Sequence, residues 1–153
     1  MALITIVGSG MMGSALAFPA RENGNEVRLV GTHLDREIID NARKTNRHLK
    51  FHRDFPDGVQ CYQIEELEQA LAGADLVIGG VSSFGVEWFG DYVLPRSAEG
   101  TPLLTVTKGL MDMPDGRLLT YPDLWQQKLD ELGKHLPLCA VGGPCTSYEL
   151  VAH

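Results

Sequence analysis

The sequence predicts an α/β domain built on a doubly wound parallel sheet of the Rossmann type, with about six strands and helices on both faces. Three observations carry that expectation. Short apolar runs of strand length alternate with helix-like segments along the whole chain, and parallel strands require such crossover connections. The runs "LVIGGV" and "LLTVT" are almost continuously apolar, as suits central strands buried on both sides. The first run leads directly into Gly8-x-Gly10-x-x-Gly13, the strand–turn–helix context that gives this motif its meaning.

Taken in order, Leu3 to Val7 is rich in β-branched residues and has the length of a buried strand. A helix is expected from Met11 to Asn23, ended by Gly24. Pro19 falls inside it, where the lost backbone bond costs about 3 kcal/mol, so a kink or an early end is expected there. Strands then follow at Glu26 to Val30, Val59 to Tyr62, Leu76 to Val81, Leu103 to Thr107 and Leu138 to Val141. Between them, helices are expected at Asp35 to Lys44, Glu65 to Leu71, Val86 to Leu94 and Pro122 to Leu132. Thr45 to Gly58 is the longest gap, either a functional loop or a surface detour.

The uncharged N-terminal stretch invites a membrane reading, which its own residues reject. A spanning helix needs about 20 predominantly apolar residues, whereas Gly8, Ser9, Gly10, Gly13, Ser14 and Pro19 interrupt this one. An export signal carries a positively charged start, and the first basic side chain here is Arg21. No membrane partner is expected. The 153 residues fit one domain. A net charge of −7 argues against a nucleic-acid partner held through phosphates. Cys61, Cys139 and Cys145 form an odd set without a CxxC, which reads as reduced thiols of a cytoplasmic protein.

Against that acidic background, Arg43, Lys44, Arg47, Lys50 and Arg53 cluster in "ARKTNRHLKFHRD". They face either a phosphate group or simply solvent. His48 and His52 stand at a zinc-chelating spacing, but no carboxylate or cysteine completes a ligand set, so no metal is expected.

The glycine motif has a definite physics. Gly8 permits a tight turn, Gly10 lets backbone amides approach a diphosphate, and Gly13 lets helix and strand pack closely. The unpaired amides and positive dipole of the helix start attract the anion. Gly8, Ser9, Gly10, Met11, Met12 and Gly13 are therefore candidate cofactor contacts. At the end of the second strand, an NAD site usually offers a carboxylate to the ribose, but here Gly31, Thr32 and His33 occupy that place. Asp35 comes later and reads as a helix cap. Thr32, His33 and Arg36 suit a 2′-phosphate instead, which leans the cofactor, NAD(P), toward NADP. Ser82 and Ser83 do not form a G-x-S-x-G elbow, so a hydrolase is disfavoured. Lys108 follows the fifth strand at its C-terminal end, where open α/β sheets place ligands.

The ordered set "GSGMMGSAL", "NEVRLVGT", "GGVSSFGV", "VTKGL" and "VGGPCTSYEL" resembles the cofactor-binding half of NAD(P)-dependent glycerol-3-phosphate dehydrogenases, over essentially the whole chain. The resemblance implies that Gly8 to Gly13 hold the diphosphate, that Val81, Ser82 and Ser83 pass near the nicotinamide, and that Lys108 binds a small phosphorylated substrate. It further implies cofactor contacts around Ser147. Where that family reads Ser-Gly-Pro-Ser-Phe-Ala, this chain has Gly142, Gly143, Pro144, Cys145, Thr146 and Ser147, with Glu149 retained. Such a departure marks a divergent branch.

Family members continue into a helical substrate domain that carries the catalytic lysine. Here the sequence stops at "YELVAH", within an apparent helix. The expectation is thus a single dinucleotide-binding domain, residues 1–153, inactive by itself and exposing apolar surface compatible with a homodimer. The readings set beside it are a stand-alone nucleotide-sensing module and the first domain of a β-hydroxyacid or ketopantoate-type dehydrogenase.

Overall fold

The computed structural model of the chain describes residues 1–152. Strands β1 (Leu3–Val7), β2 (Glu26–Val30), β3 (Val59–Tyr62), β4 (Leu76–Gly79), β5 (Leu103–Thr105) and β8 (Leu138–Ala140) form one parallel sheet in the order β3-β2-β1-β4-β5-β8. That order reverses between β1 and β4, the switch point where doubly wound sheets open a crevice at their carboxyl ends. The helices are α1 (Met11–Glu22), α2 (Arg36–Thr45), α3 (Leu67–Leu71), α4 (Val86–Tyr92), α5 (Tyr121–Leu132) and α6 (Ser147–Ala152).

Side chains alternate across the central strands, and both faces are buried. Ile4 and Ile6 of β1, with Val27 and Leu29 of β2, join Ala15, Ala17 and Phe18 of α1 and Ile39 of α2. On the other face, Val7, Val30, Val77 and Leu103 meet Leu71, Phe89, Trp125 and Leu129. Trp125 is fully buried, stacks on Phe89 at 4.4 Å between centroids and donates its indole N–H to the Val86 carbonyl at 2.9 Å. It fits because β4 ends in glycine: a Cβ on Gly79 would lie 2.7 Å from the Trp125 ring.

Helix α1 runs past Pro19 to Glu22, so the early end expected there does not occur. Pro19 stands in the last turn, and the neighbouring Phe18 is fully buried against the Phe51 and Phe55 rings. That burial offsets one missing backbone bond. Gly24 follows the helix at φ 81°, as its sequence position implied. Three strands stop one or two residues short of expectation, at Gly79, Thr105 and Ala140.

A two-stranded antiparallel hairpin was not anticipated: β6 (Leu110–Asp112) and β7 (Leu118–Thr120), joined around Pro114, Asp115 and Gly116 at φ 82°. Thr120 and Asp123 then form a capping box that starts α5. Residues 46–58 run largely exposed over the surface but anchor three side chains inside, those of His48, Phe51 and Phe55. Phe51 and Phe55 are buried there, and Arg47 bridges to Asp54. Among the described residues no helix is long and apolar enough to cross a membrane.

Candidate functional site

The glycine motif makes a close backbone crossing. A Cβ on Gly8, whose φ is 109°, would lie 2.7 Å from the Gly80 carbonyl, and one on Gly13 would lie 1.9 Å from the Gly8 oxygen. A Cβ on Gly80 would in turn lie 2.8 Å from the Gly13 Cα. Real side chains cannot occupy such distances. The β1 turn, the first turn of α1 and the end of β4 are thereby pressed together, and Gly8 N–H and Gly80 N–H complete the contact by donating to Val30 and Val7.

Gly10 differs from its neighbours. Nothing lies within 4 Å of a Cβ built there. It is the N-cap of α1 and places no side-chain acceptor on the helix start. The amides of Met11, Met12 and Gly13 are the first of the helix and have no partner one turn back. Helix starts of this kind, combined with open space, suit a diphosphate.

Next to this start lies a cleft of about 200 Å³, lined by Gly10, Thr32, His33, Leu34, Asp35, Gly80, Val81, Ser82, Phe84, Gly85 and Trp88. Clefts holding a whole drug-sized ligand measure about 300 Å³ or more. At about 200 Å³ this one is smaller than that. Its walls are aromatic: the His33 and Trp88 rings meet edge to face at 5.7 Å, and Trp88 stacks on Tyr92 at 5.5 Å.

The structure brings together Gly10, Thr32, His33, Val81 and Ser82 of the expected residues. Val81 and Ser82 line the same cleft as Thr32 and His33. Gly8 and Gly13 lie beneath the turn as spacers, and Met11 and Met12 pack half-buried side chains against the α1 side of the core.

Other expected residues lie outside this cleft lining. Ser9 is fully buried, and its N–H already donates to Asp35 Oδ2 at 3.2 Å, so it faces the protein. Arg36 does not line the cleft but pairs with Glu65 on the surface. Ser83 is exposed at the start of a 3-10 turn outside the cleft lining. Ser147 is buried at the start of α6, also outside that lining. Neither Ser82 nor Gly85 supplies a side-chain cap.

The Arg/Lys cluster does not converge on the cleft. Arg43 pairs with Glu66, Arg47 with Asp54 and Arg53 with Glu22. Lys108 is exposed in the loop after β5 and has no partner among the described residues. Its neighbour Thr107 is fixed, donating Oγ1–H to the Val81 carbonyl at 2.5 Å.

Two residues take parts that the sequence reading did not give them. Asp35, read as a helix cap, makes no side-chain cap. Its Oδ2 instead accepts from Ser9 N, Thr32 N at 2.9 Å and Thr32 Oγ1 at 2.8 Å, tying the β1 and β2 loops together. The Thr-x-x-Asp spacing of Thr32 and Asp35 was the available signal. His48, weighed as a metal ligand, is 1% exposed, and its Nε2–H donates to the Ser9 carbonyl at 3.2 Å. Burial holds its basicity below the ordinary imidazole value of 6.5. Its Nδ1 accepts from Lys50 N at 3.1 Å, as a neutral ring requires.

Comparison with known proteins agrees with this geometry. The profile of the NAD-dependent glycerol-3-phosphate dehydrogenase N-terminus matches residues 3–153. An NADP(+)-dependent glycerol-3-phosphate dehydrogenase from Archaeoglobus fulgidus is 35% identical over 149 residues, covering 97% of this chain and 43% of the relative. An NAD(P)+ glycerol-3-phosphate dehydrogenase from Escherichia coli is 31% identical over 154 residues, covering 99% of this chain and 42% of that one. The crystal structure of a glycerol-3-phosphate dehydrogenase from Coxiella burnetii superposes with a TM-score of 0.79 at 25% identity, covering 99% of this chain and 43% of that one. The chain spans about two fifths of the length of the relatives it matches. It belongs to the NAD-dependent glycerol-3-phosphate dehydrogenase family, and what it contains is the family's N-terminal, Rossmann-type part.

Proposed function

We propose that this domain is the cofactor-binding half of an oxidoreductase that moves hydride between a nicotinamide dinucleotide and glycerol 3-phosphate, with dihydroxyacetone phosphate as the ketone. One observation carries the reading: three glycines are packed too tightly for any side chain, while the fourth, Gly10, opens onto solvent beside an uncapped helix start. Such a turn admits a diphosphate between bare backbone and the positive end of α1. When bound, the dinucleotide supplies the hydride chemistry. The chain's own residues hold and orient it.

In this reading the amides of Gly10, Met11 and Met12 bind the diphosphate. Thr32, His33 and Trp88 surround the adenosine, and the β4 loop at Val81 and Ser82 guides the remainder. Lys108, exposed beyond β5, takes the hydroxyl or phosphate of the substrate. Ser9 and Ser147 serve the fold beneath and beside the site.

We further infer a preference for NADP. His33 lines the cleft just after β2, where its ring N–H can donate to a 2′-phosphate. The Archaeoglobus relative carries NADP(+) in its name. Fluorescence titration with both reduced cofactors tests this. NADPH binding more tightly than NADH supports the preference; equal or reversed affinities refute it.

A further inference from the structure

We propose that His48 is a positioning residue for the diphosphate site, acting through the Ser9 peptide and not by touching the cofactor. The proposal rests on the reading of the Gly10 turn as a dinucleotide site. The Ser9 carbonyl and the Gly10 N–H belong to one planar trans peptide, so they point in opposite directions. Whatever holds the carbonyl inward therefore aims the amide outward.

Two donors hold it. His48 Nε2 lies 3.2 Å from the Ser9 oxygen, and Ser14 Oγ donates to the same oxygen at 2.9 Å. Ser14 is one turn along α1 and sets the carbonyl relative to its own helix. His48 comes from the long segment after α2, 39 residues away in sequence, and sets it relative to the rest of the molecule. On the preceding peptide, the Ser9 N–H is drawn away to Asp35. The outcome is a selection among neighbouring amides: that of Ser9 is turned inward, and that of Gly10 is left for a ligand.

The ring is itself held for this task. It is almost fully buried, and its centroid lies 4.6 Å from that of Phe51. Its Nδ1 accepts from the Lys50 amide, which fixes the tautomer with hydrogen on Nε2. A packing role alone would not require that second contact.

The test is the affinity of the chain for ADP, measured by calorimetry, for the native protein, His48→Phe and His48→Gln, with a melting curve for each. Phenylalanine keeps the ring and removes the donor; glutamine restores an N–H donor. The proposal expects His48→Phe to bind ADP about 3- to 10-fold more weakly, the worth of one hydrogen bond, and His48→Gln to regain most of that loss whatever the melting temperatures do. Native affinity in His48→Phe, or equal weakness in both variants, overturns it. If His48→Phe does not fold, His48→Met takes its place as an apolar side chain without an N–H donor. A similar weakening that His48→Gln recovers then supports the proposal, and native affinity overturns it. Native protein that binds no ADP would refute the dinucleotide reading itself, an outcome distinct from a failure of the His48 variants alone.

Discussion

Gly13 faces the Gly8 carbonyl so closely that a methyl group on it would sit 1.9 Å from the oxygen. That contact sets how deeply the start of α1 lies against the β1 turn. Gly13→Ala must push backbone apart, and overpacking of this kind costs about 1 to 3 kcal/mol. Gly10→Ala meets nothing within 4 Å and changes stability by about 1 kcal/mol or less, the scale of an N-cap change. Urea denaturation separates the two, while dinucleotide titration should find binding lost in both.

Lys108 belongs to a different stage of the chemistry. It is exposed and unpaired among the described residues, so removing it leaves no buried acceptor behind. Lys108→Ala should leave domain stability and dinucleotide affinity unchanged. In an enzyme of the relatives' full length it should lower kcat/KM by the equivalent of about 1.5 to 3 kcal/mol, the range for a charged hydrogen bond. Steady-state kinetics with glycerol 3-phosphate checks this; an unchanged kcat/KM removes Lys108 from the site.

His48 also links stability to pH. Its desolvation by burial lowers the folded-state value below 6.5, the opposing Ser9 contact notwithstanding. The unfolded chain therefore takes up a proton at higher pH than the folded one. The stabilisation is fully present above about pH 6.5 and is lost as pH falls toward the lower folded-state value. Lys50 and Asp35 act on the same ring in opposite senses and with smaller effect. Comparing urea midpoints at pH 7.5 and 5.5, the native protein should lose more stability than His48→Phe. An equal loss in both would show that His48 carries no such linkage.

The cysteines should react unequally. Burial raises the Cys61 thiol to about 11 despite nearby Arg43, so at pH 8 only about one molecule in a thousand carries the thiolate. Cys139 and Cys145 are exposed. A thiol-exchange reagent should titrate two groups promptly and the third slowly, until urea unfolds the chain. Three equal rates in native protein would contradict the packing of Cys61.

Periodicity made the sheet legible, because each parallel strand is a local apolar run whose partners are dictated by topology. The β6–β7 hairpin escaped that logic. Its strands are three residues long, and Leu110 and Leu118 are exposed, so no buried face imposed a pattern. Only the Pro-Asp-Gly turn at 114–116 announced it.

At the site, the glycines could be read because their task is local: a turn, a close approach, a helix start. The local Thr32–Asp35 contact had a signal in its spacing, but the contacts of Asp35 and His48 with Ser9 did not, since that neighbourhood exists only once the chain has folded. Arg36 directly follows Asp35 of the cleft lining, and its exposed side chain pairs with Glu65. Ser147 was named by the resemblance alone, and it is buried at the start of α6 outside the cleft lining.

The most direct measurement is a crystal structure of the chain soaked with NADPH. The account predicts diphosphate oxygens within hydrogen-bond distance of the Gly10 and Met11 amides, with the adenosine in the cleft between His33 and Val81. A dinucleotide bound elsewhere, or only solvent against Gly10 at saturating ligand, would contradict it.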